Sequence, residues 1–244
     1  MKAISNFGRS WLRFSLRTLM VVMFVSCLLS GWVAFLFRQG RAEQDAAVKI
    51  EKLGGTAMNC HLLPSSNGIS LFPEWMQKIF GIQDYKTINY VTFGNHELSE
   101  EDHEITDKEF AIVQVMTDLR SLSLFQTKIS DEGLVVLQSL SRLEYFSAEG
   151  ANITDRGVTH ISKLKMLSQL DLSSTKITDA GVAELRKLSN LYDLSLNDTQ
   201  ITDAGILELQ RLTNLRHLQV EGTRITEIGL EGLKKVLPNL EICK

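Results

Sequence analysis

A chain of 244 residues with 44% hydrophobic and 23% charged side chains has the composition of a folded protein, which excludes a disordered, collagen-like or multi-span membrane chain. Three cysteines and three prolines exclude a disulfide-stapled miniprotein and a proline-rich linker. A net charge of −3 gives no blanket attraction to nucleic acid, so no nucleic-acid partner is expected.

The charge is unevenly spread. Residues 1–41 contain no acid but hold Lys2, Arg9, Arg13, Arg17, Arg38 and Arg41, a charge of +6, and the rest of the chain carries −9. Between Arg17 and Arg38 the run from Leu19 to Phe37 has no charge, and its polar relief is Ser26, Ser30 and Gly31. As a helix it reaches about 28 Å, close to the ~30 Å of a hydrocarbon core. The expectation is a basic cytoplasmic tail over 1–18 and a transmembrane signal anchor over 19–37 with the lipid bilayer as partner. The run is longer than the hydrophobic core of a cleaved signal peptide. The positive-inside bias then places the N-terminus in the cytoplasm and the remainder in the periplasm or another extracytoplasmic space. Residues 38–55 read as a stalk, with Ala46, Ala47, Ile50 and Leu53 at helical spacing and Gly54-Gly55 as the stop. Residues 56–87 read as an N-terminal cap in which Trp75, Ile79 and Phe80 line one side of a short helix.

From residue 88 the chain repeats. Leucine-led units begin at Leu119, Leu143, Leu167, Leu191 and Leu215, the first four of 24 residues and the fifth of 25, and Leu240-Glu241-Ile242-Cys243 opens a sixth. In each unit the spacing L-x-x-L-x-L turns Leu170 and Leu172, or their equivalents, toward one face of a strand. A Thr-Asp pair such as Thr178-Asp179 follows as a helix start, and Val182, Leu185 and Leu188 make one apolar stripe. A glycine recurs inside the helix at Gly133, Gly157, Gly181, Gly205 and Gly229, which calls for a close approach by a neighbouring coil. An earlier coil is signalled by Ile88-x-x-Val91-x-Phe93 and carries a 7-residue insertion before Leu119.

This pattern resembles the leucine-rich repeats of the cysteine-containing and ribonuclease-inhibitor-like subclass. The run Arg13 to Leu19, the segment Ala47 to Gly55 and the Pro73-to-Gly81 motif resemble small single-span bacterial proteins of that family. The resemblance implies an α/β fold: a short right-handed horseshoe arc over 88–244, with a parallel sheet on the concave face and helices on the convex face, preceded by one transmembrane helix. It implies a membrane-anchored, non-catalytic module that binds a protein or peptide, with no cofactor.

The outward strand positions form the candidate binding face: Arg120, Ser123, Phe125, Tyr145, Glu149, Gln169, Asp171, Tyr192, Asp193, Ser195, Asn197, His217, Gln219 and Glu221. No metalloprotease, nucleophile-elbow or phosphate-loop motif occurs. Ser195, Asp193 and His217 share the face, but nothing in the sequence activates Ser195. The acidic stretch from Asn95 to Glu109, with His96 and His103, reads as a solvated loop rather than a metal site. Two alternatives stay open. Leu71-Phe72-Pro73-Glu74 with Ile79-Phe80 echoes the start of an F-box, as in a ubiquitin-ligase substrate receptor, and an envelope protein that self-associates would use the same repeats.

Overall fold

The computed structural model describes residues 16–58, 88–94 and 105–244. The chain divides into two compact units, Met1–Arg41 and Ala42–Lys244. In the first, helix α1 (Leu16–Lys52) begins, and Met20, Met23, Phe24, Leu28, Trp32 and Phe35 on it are exposed. Among the described residues, no helix is long and apolar enough to cross a membrane. This corrects the expected transmembrane helix over 19–37 and the topology with a cytoplasmic N-terminus and extracytoplasmic repeats. The charge-free run is not an element of its own: it is the front of a 37-residue helix that also carries Arg38, Arg41, Glu43, Asp45, Lys49, Glu51 and Lys52.

The second unit starts with the end of that helix. Ala46 and Ile50, two residues of the apolar stripe expected over 38–55, are buried in the repeat core. Gly55 lies so near Ile50, the Thr92 carbonyl and Phe93 that no side chain fits there. Strand β1 (Thr56–Met58) then pairs antiparallel with β2 (Tyr90–Phe93). The expected cap helix and F-box echo at 71–80 and most of the acidic loop lie outside the described residues.

From β2 every coil adds one parallel strand: β3 (Ser121–Leu124), β4 (Tyr145–Ser147), β5 (Gln169–Asp171), β6 (Asp193–Ser195), β7 (His217–Gln219) and β8 (Glu241–Cys243), in sequence order. The inward leucines, joined by Phe93, Phe110 and Phe146, form one continuous core. Phe93 and Phe110 meet edge to face at 6.0 Å. The returning side of each coil is short. Asp107–Phe110 forms α2, followed by 3-10 turns at Ala111–Val115; Gly133–Ser139 is also 3-10. The later coils form α3 (Asp155–Ile161), α4 (Asp179–Leu185), α5 (Asp203–Leu209) and α6 (Glu227–Val236).

One carboxylate joins each coil to the next. Asp155 Oδ1 accepts the backbone N–H of Thr178 at 2.8 Å and Oδ2 accepts its hydroxyl at 2.6 Å. The Thr178 oxygen then accepts from the N–H of Ala180 and caps α4. The same grip runs from Asp107 to Ser130, Asp131 to Thr154, Asp179 to Thr202 and Asp203 to Thr226. Each gripping carboxylate fills the space beside a helical glycine: a Cβ on Gly133, Gly157, Gly181, Gly205 or Gly229 would overlap an aspartate oxygen of the preceding coil. The recurrent glycine is therefore a steric requirement of the aspartate.

A second period lies at the strand exit. Gly94, Gln126, Gly150, Ser174, Asp198 and Gly222 all have positive φ, between 52° and 77° with Gly54 included. A core hydroxyl marks the next position: Thr127, Thr175, Thr199 and Thr223 donate to the carbonyl three residues back. Ala151 holds that place in the second repeat, where its own N–H reaches the Ala148 carbonyl at 3.0 Å. Both alanines are buried, so the coil closes without the hydroxyl.

Two glycines test this account with opposite signs. Gly181→Ala lowers stability by about 2 kcal/mol through overpacking, although alanine is the better helix former. Gly232→Ala, in α6 with nothing within 4 Å of the added carbon, raises stability by about 0.5–1 kcal/mol. Urea unfolding of both variants measures the difference, and equal effects contradict the steric origin.

The ladder also sets an acid dependence. The Thr226 N–H, and then its hydroxyl, hold the Asp203 carboxyl below its ordinary value of 3.8. A depressed folded value means that the unfolded chain takes up the proton first. The stabilisation is thus complete above the ordinary carboxylate range and is lost as pH falls through the folded value. Asp203→Asn is expected to be less stable than the parent at pH 7 but to lose less on acidification to pH 3, by chemical unfolding at the two pH values.

Candidate functional site

The outer face of the sheet carries two in-register rows of side chains. The first runs Tyr90, Ser121, Tyr145, Gln169, Asp193, His217 and Glu241, and the second Thr92, Ser123, Ser147, Asp171, Ser195, Gln219 and Cys243. The rows exist because strand side chains alternate and the inward set is spent on the core. Adjacent coils stand about 4.8 Å apart, so neighbouring residues of one row are in reach of one another.

The sequence-predicted residues fall at four levels of this face. Tyr145, Gln169, Asp193 and His217 lie in the first row, and Ser123, Asp171, Ser195 and Gln219 in the second. Arg120 and Tyr192 precede their strands, while Phe125, Glu149, Asn197 and Glu221 occupy the exits. Their exposure differs. Ser195 is buried, Phe125, Tyr145, Asp171, Asp193 and Asn197 are half-buried, and Gln169, Tyr192, Gln219 and Glu221 are exposed. Tyr90, Thr92 and Glu241 extend the rows and were not among the predicted site residues. The spacing around Val91 and the Leu240-Glu241-Ile242 run are the signals that reveal them.

Part of this polarity is internal bonding. Ser173 and Ser195 hydroxyls meet at 2.6 Å, Asn197 Nδ2 donates to Ser195 Oγ at 3.3 Å and Gln219 Oε1 at 3.1 Å, and Asn197 Oδ1 accepts the Glu221 N–H at 2.8 Å. Arg120 pairs with Glu144 one coil on. His217 places Nε2 3.0 Å from the Tyr192 hydroxyl and Nδ1 3.2 Å from Glu241 Oε2. Both of its nitrogens are therefore engaged away from Ser195, and the hydroxyl of Ser195 lies against another serine, so the three residues that share the face do not form a nucleophile and base.

The remaining charge is acidic. Asp171 Oδ1 accepts the Ser173 N–H at 2.9 Å, and among the described residues none of Asp171, Asp193 and Glu221 is in an ion pair. Burial pushes the Tyr145 phenol above its ordinary value, opposed by the hydrogen bond to Ser147 and reinforced by the charges of Asp171, Tyr90 and Glu149. Such a face offers a phenol that stays protonated beside carboxylates that accept hydrogen bonds and positive charge. No group of three or more metal-ligating side chains occurs among the described residues.

One sheet strand per coil, a helical return and a core of periodic leucines define a repeat solenoid. A leucine-rich-repeat family model matches residues 115–137 and 163–185, so these two stretches carry leucine-rich repeats. Comparison with curated proteins gives no match. Among solved structures, it is similar to an internalin (inlF) of Listeria monocytogenes, with 27% identity, covering 55% of this chain and 43% of that one at a TM-score of 0.42. It is also similar to internalin C2 of Listeria monocytogenes, with 20% identity over 68% of this chain and 78% of that one at a TM-score of 0.44. A leucine-rich-repeat protein of Leptospira interrogans gives 24% identity over 55% of this chain and 39% of that one, at 0.43. The chain thus spans less than half the length of the first and third of these.

Spectrophotometric titration of Tyr145→Phe against the parent is expected to show the missing phenol ionising above pH 10. Asp171→Asn in the otherwise unchanged chain, with Tyr145 present, is expected to bring the Tyr145 transition down, and an unchanged transition contradicts the carboxylate's reach.

Proposed function

We propose that the outer face of β2–β8 is a non-catalytic binding surface for a protein or peptide segment that brings basic side chains. Leucine-rich-repeat domains generally serve as interaction modules, and solenoids use the surface formed by stacked strands for that purpose. The observation that carries the reading is a contiguous face on which Asp171, Asp193 and Glu221 lack basic partners beside the half-buried Tyr145. Fixed, half-buried side chains lose little freedom when a partner settles on them. Carboxylates add attraction at a distance and selectivity for positive charge. The T-x-I-T-D-x-G-L units support placing the repeats in the ribonuclease-inhibitor-like subclass.

The test is crosslinked capture from the native cell by the full chain, compared with the triple variant Asp171→Lys, Asp193→Lys and Glu221→Lys. Each exposed pair contributes up to about 1 kcal/mol and reversal adds repulsion, so recovery of a partner is expected to fall roughly tenfold or more. Equal recovery by the two proteins, with the crosslinks mapping elsewhere, removes this face as the site.

A further inference from the structure

We propose that a cleft between the end of α1 and the first coil's return docks a peptide segment of a partner protein, one that carries acidic side chains on either side of an apolar one. The cleft has a volume of about 500 Å3 and is lined by Lys49, Lys52 and Leu53 from α1 and the residue after it, and by Lys108, Ala111 and Ile112 from α2 and the 3-10 turns. All six residues belong to the unit Ala42–Lys244 and none lies on a strand, so this site is separate from the sheet face.

Three ammonium groups around one opening repel one another, and local structure explains only part of their placing. The carboxyl end of α1 accounts for Lys49 and Lys52, because cations are favoured where helix carbonyls point outward. It does not account for Lys108, which comes from a different element and lines the same cleft. Among the described residues none of the three is in an ion pair. The acidic side chain of the lining, Glu109, is engaged locally: its Oε2 accepts the Thr106 N–H at 3.1 Å and the Thr106 hydroxyl as well. Three lysines and this glutamate leave the lining with a charge of +2.

Between the charges the lining is apolar. Leu53 and Ile112 are half-buried and pack against the repeat core, so their open sides are held in place. An inorganic anion would meet the ammonium groups and leave this floor wet, whereas a plain apolar ligand would do the reverse. The occupant therefore brings both kinds of group. Lysine is a hydrated point charge without the planar fork with which arginine clamps a phosphate. Separate carboxylates suit it, and residues two apart on an extended peptide stand roughly 7 Å from one another, comparable to the ~6 Å between lysines one helical turn apart. A peptide also agrees with the general role of leucine-rich-repeat domains as protein-interaction modules.

Fluorescence anisotropy on the full chain tests this, with a labelled nonapeptide of glutamates around a central leucine as the probe. Binding is expected at about 20 mM salt and is expected to weaken severalfold by about 200 mM. Lys49→Gln, Lys52→Gln and Lys108→Gln together are expected to weaken it about tenfold or more. The same change at Lys163, Lys234 and Lys235, which are exposed and outside the cleft, is expected to leave it within about twofold. Equal losses in the two triple variants reduce the binding to overall charge and overturn the proposal, as does absence of binding by the parent at the lower salt. A probe with serine in place of the leucine is expected to bind about three- to tenfold more weakly, and equal binding of the two probes also overturns it. Two results assign the cleft to another occupant and overturn the proposal as well. One is a salt-sensitive oligomer, by sedimentation equilibrium, that the parent forms and the cleft variant does not. The other is a gain in probe affinity of about tenfold or more when Glu97, Glu100, Glu101 and Glu104 are changed to Gln, which gives the cleft to the chain's own acidic run.

Discussion

The bidentate grip of one aspartate on the next coil's threonine is the constraint from which the repeat follows. It joins three requirements in one group: the carboxylate must reach both the N–H and the hydroxyl of the capping residue, the hydroxyl oxygen must remain available to the helix it caps, and the carboxylate must lie where a side chain would project from the next helix. Asp107, Asp131, Asp155, Asp179 and Asp203 stand 24 residues apart. Each grip spans 23 residues, which is the whole coil up to the next ladder aspartate. The 7-residue excess of the first coil accordingly falls between Gly94 and Ile105, before Asp107 begins the ladder.

Polar groups at coil junctions are costly when unpaired, because each returning segment buries backbone donors against its neighbour. The ladder removes this cost once per coil, and the threonine hydroxyls at Thr127, Thr175, Thr199 and Thr223 do the same on the strand side. Where the local groups differ, the structure adjusts. In the first full repeat Ser130 Oγ accepts the Glu132 N–H at 3.3 Å, as the threonines do, but also lies 2.8 Å from Glu132 Oε2, and the return at Gly133–Ser139 winds as a 3-10 segment. In the later coils, where a threonine caps without that competing contact, the return is α-helical. Glu227 occupies the aspartate position in the fifth unit and pairs with Lys244 at 2.8 Å.

The leucine spacing made the strands, the core and the order of the sheet legible, because burial of alternate residues leaves a direct trace in composition. The Thr-Asp helix start and the glycine were legible as separate signals, and their link was not. Only coordinates show that the glycine of one coil answers the aspartate of the previous one. The left-handed exits were hidden for a different reason: Gln126, Ser174 and Asp198 adopt positive φ without being glycine, and a reader sees the pattern only through Gly150 and Gly222. At the N-terminal end, Ala46 and Ile50 read as a free amphipathic stripe because the core that covers them comes from residues some forty positions later. Composition over 19–37 likewise recorded apolarity without recording where the helix ends.

The proposed recognition role of the sheet face rests on where polar groups remain unspent. Aspartates on the helical side are consumed by the ladder, the buried threonines by strand carbonyls, and Asn190 and Asn214 by carbonyls of the preceding coil. These side chains hold the fold together and have little capacity for anything else. On the sheet face the internal bonds run mostly among uncharged groups, Ser173, Ser195, Asn197 and Gln219, which stiffens the surface while leaving Asp171, Asp193 and Glu221 without a cation. A solvated carboxylate needs no partner, but three held at one end of a rigid face raise the local negative potential together. The opposite end, around Tyr90, Ser121, Ser123 and Tyr145, carries no comparable charge. A segment lying across the strands therefore meets a gradient, aromatic and hydroxylic near β2 to β4 and acidic near β5 to β8, and that asymmetry favours one orientation of a partner over its reverse.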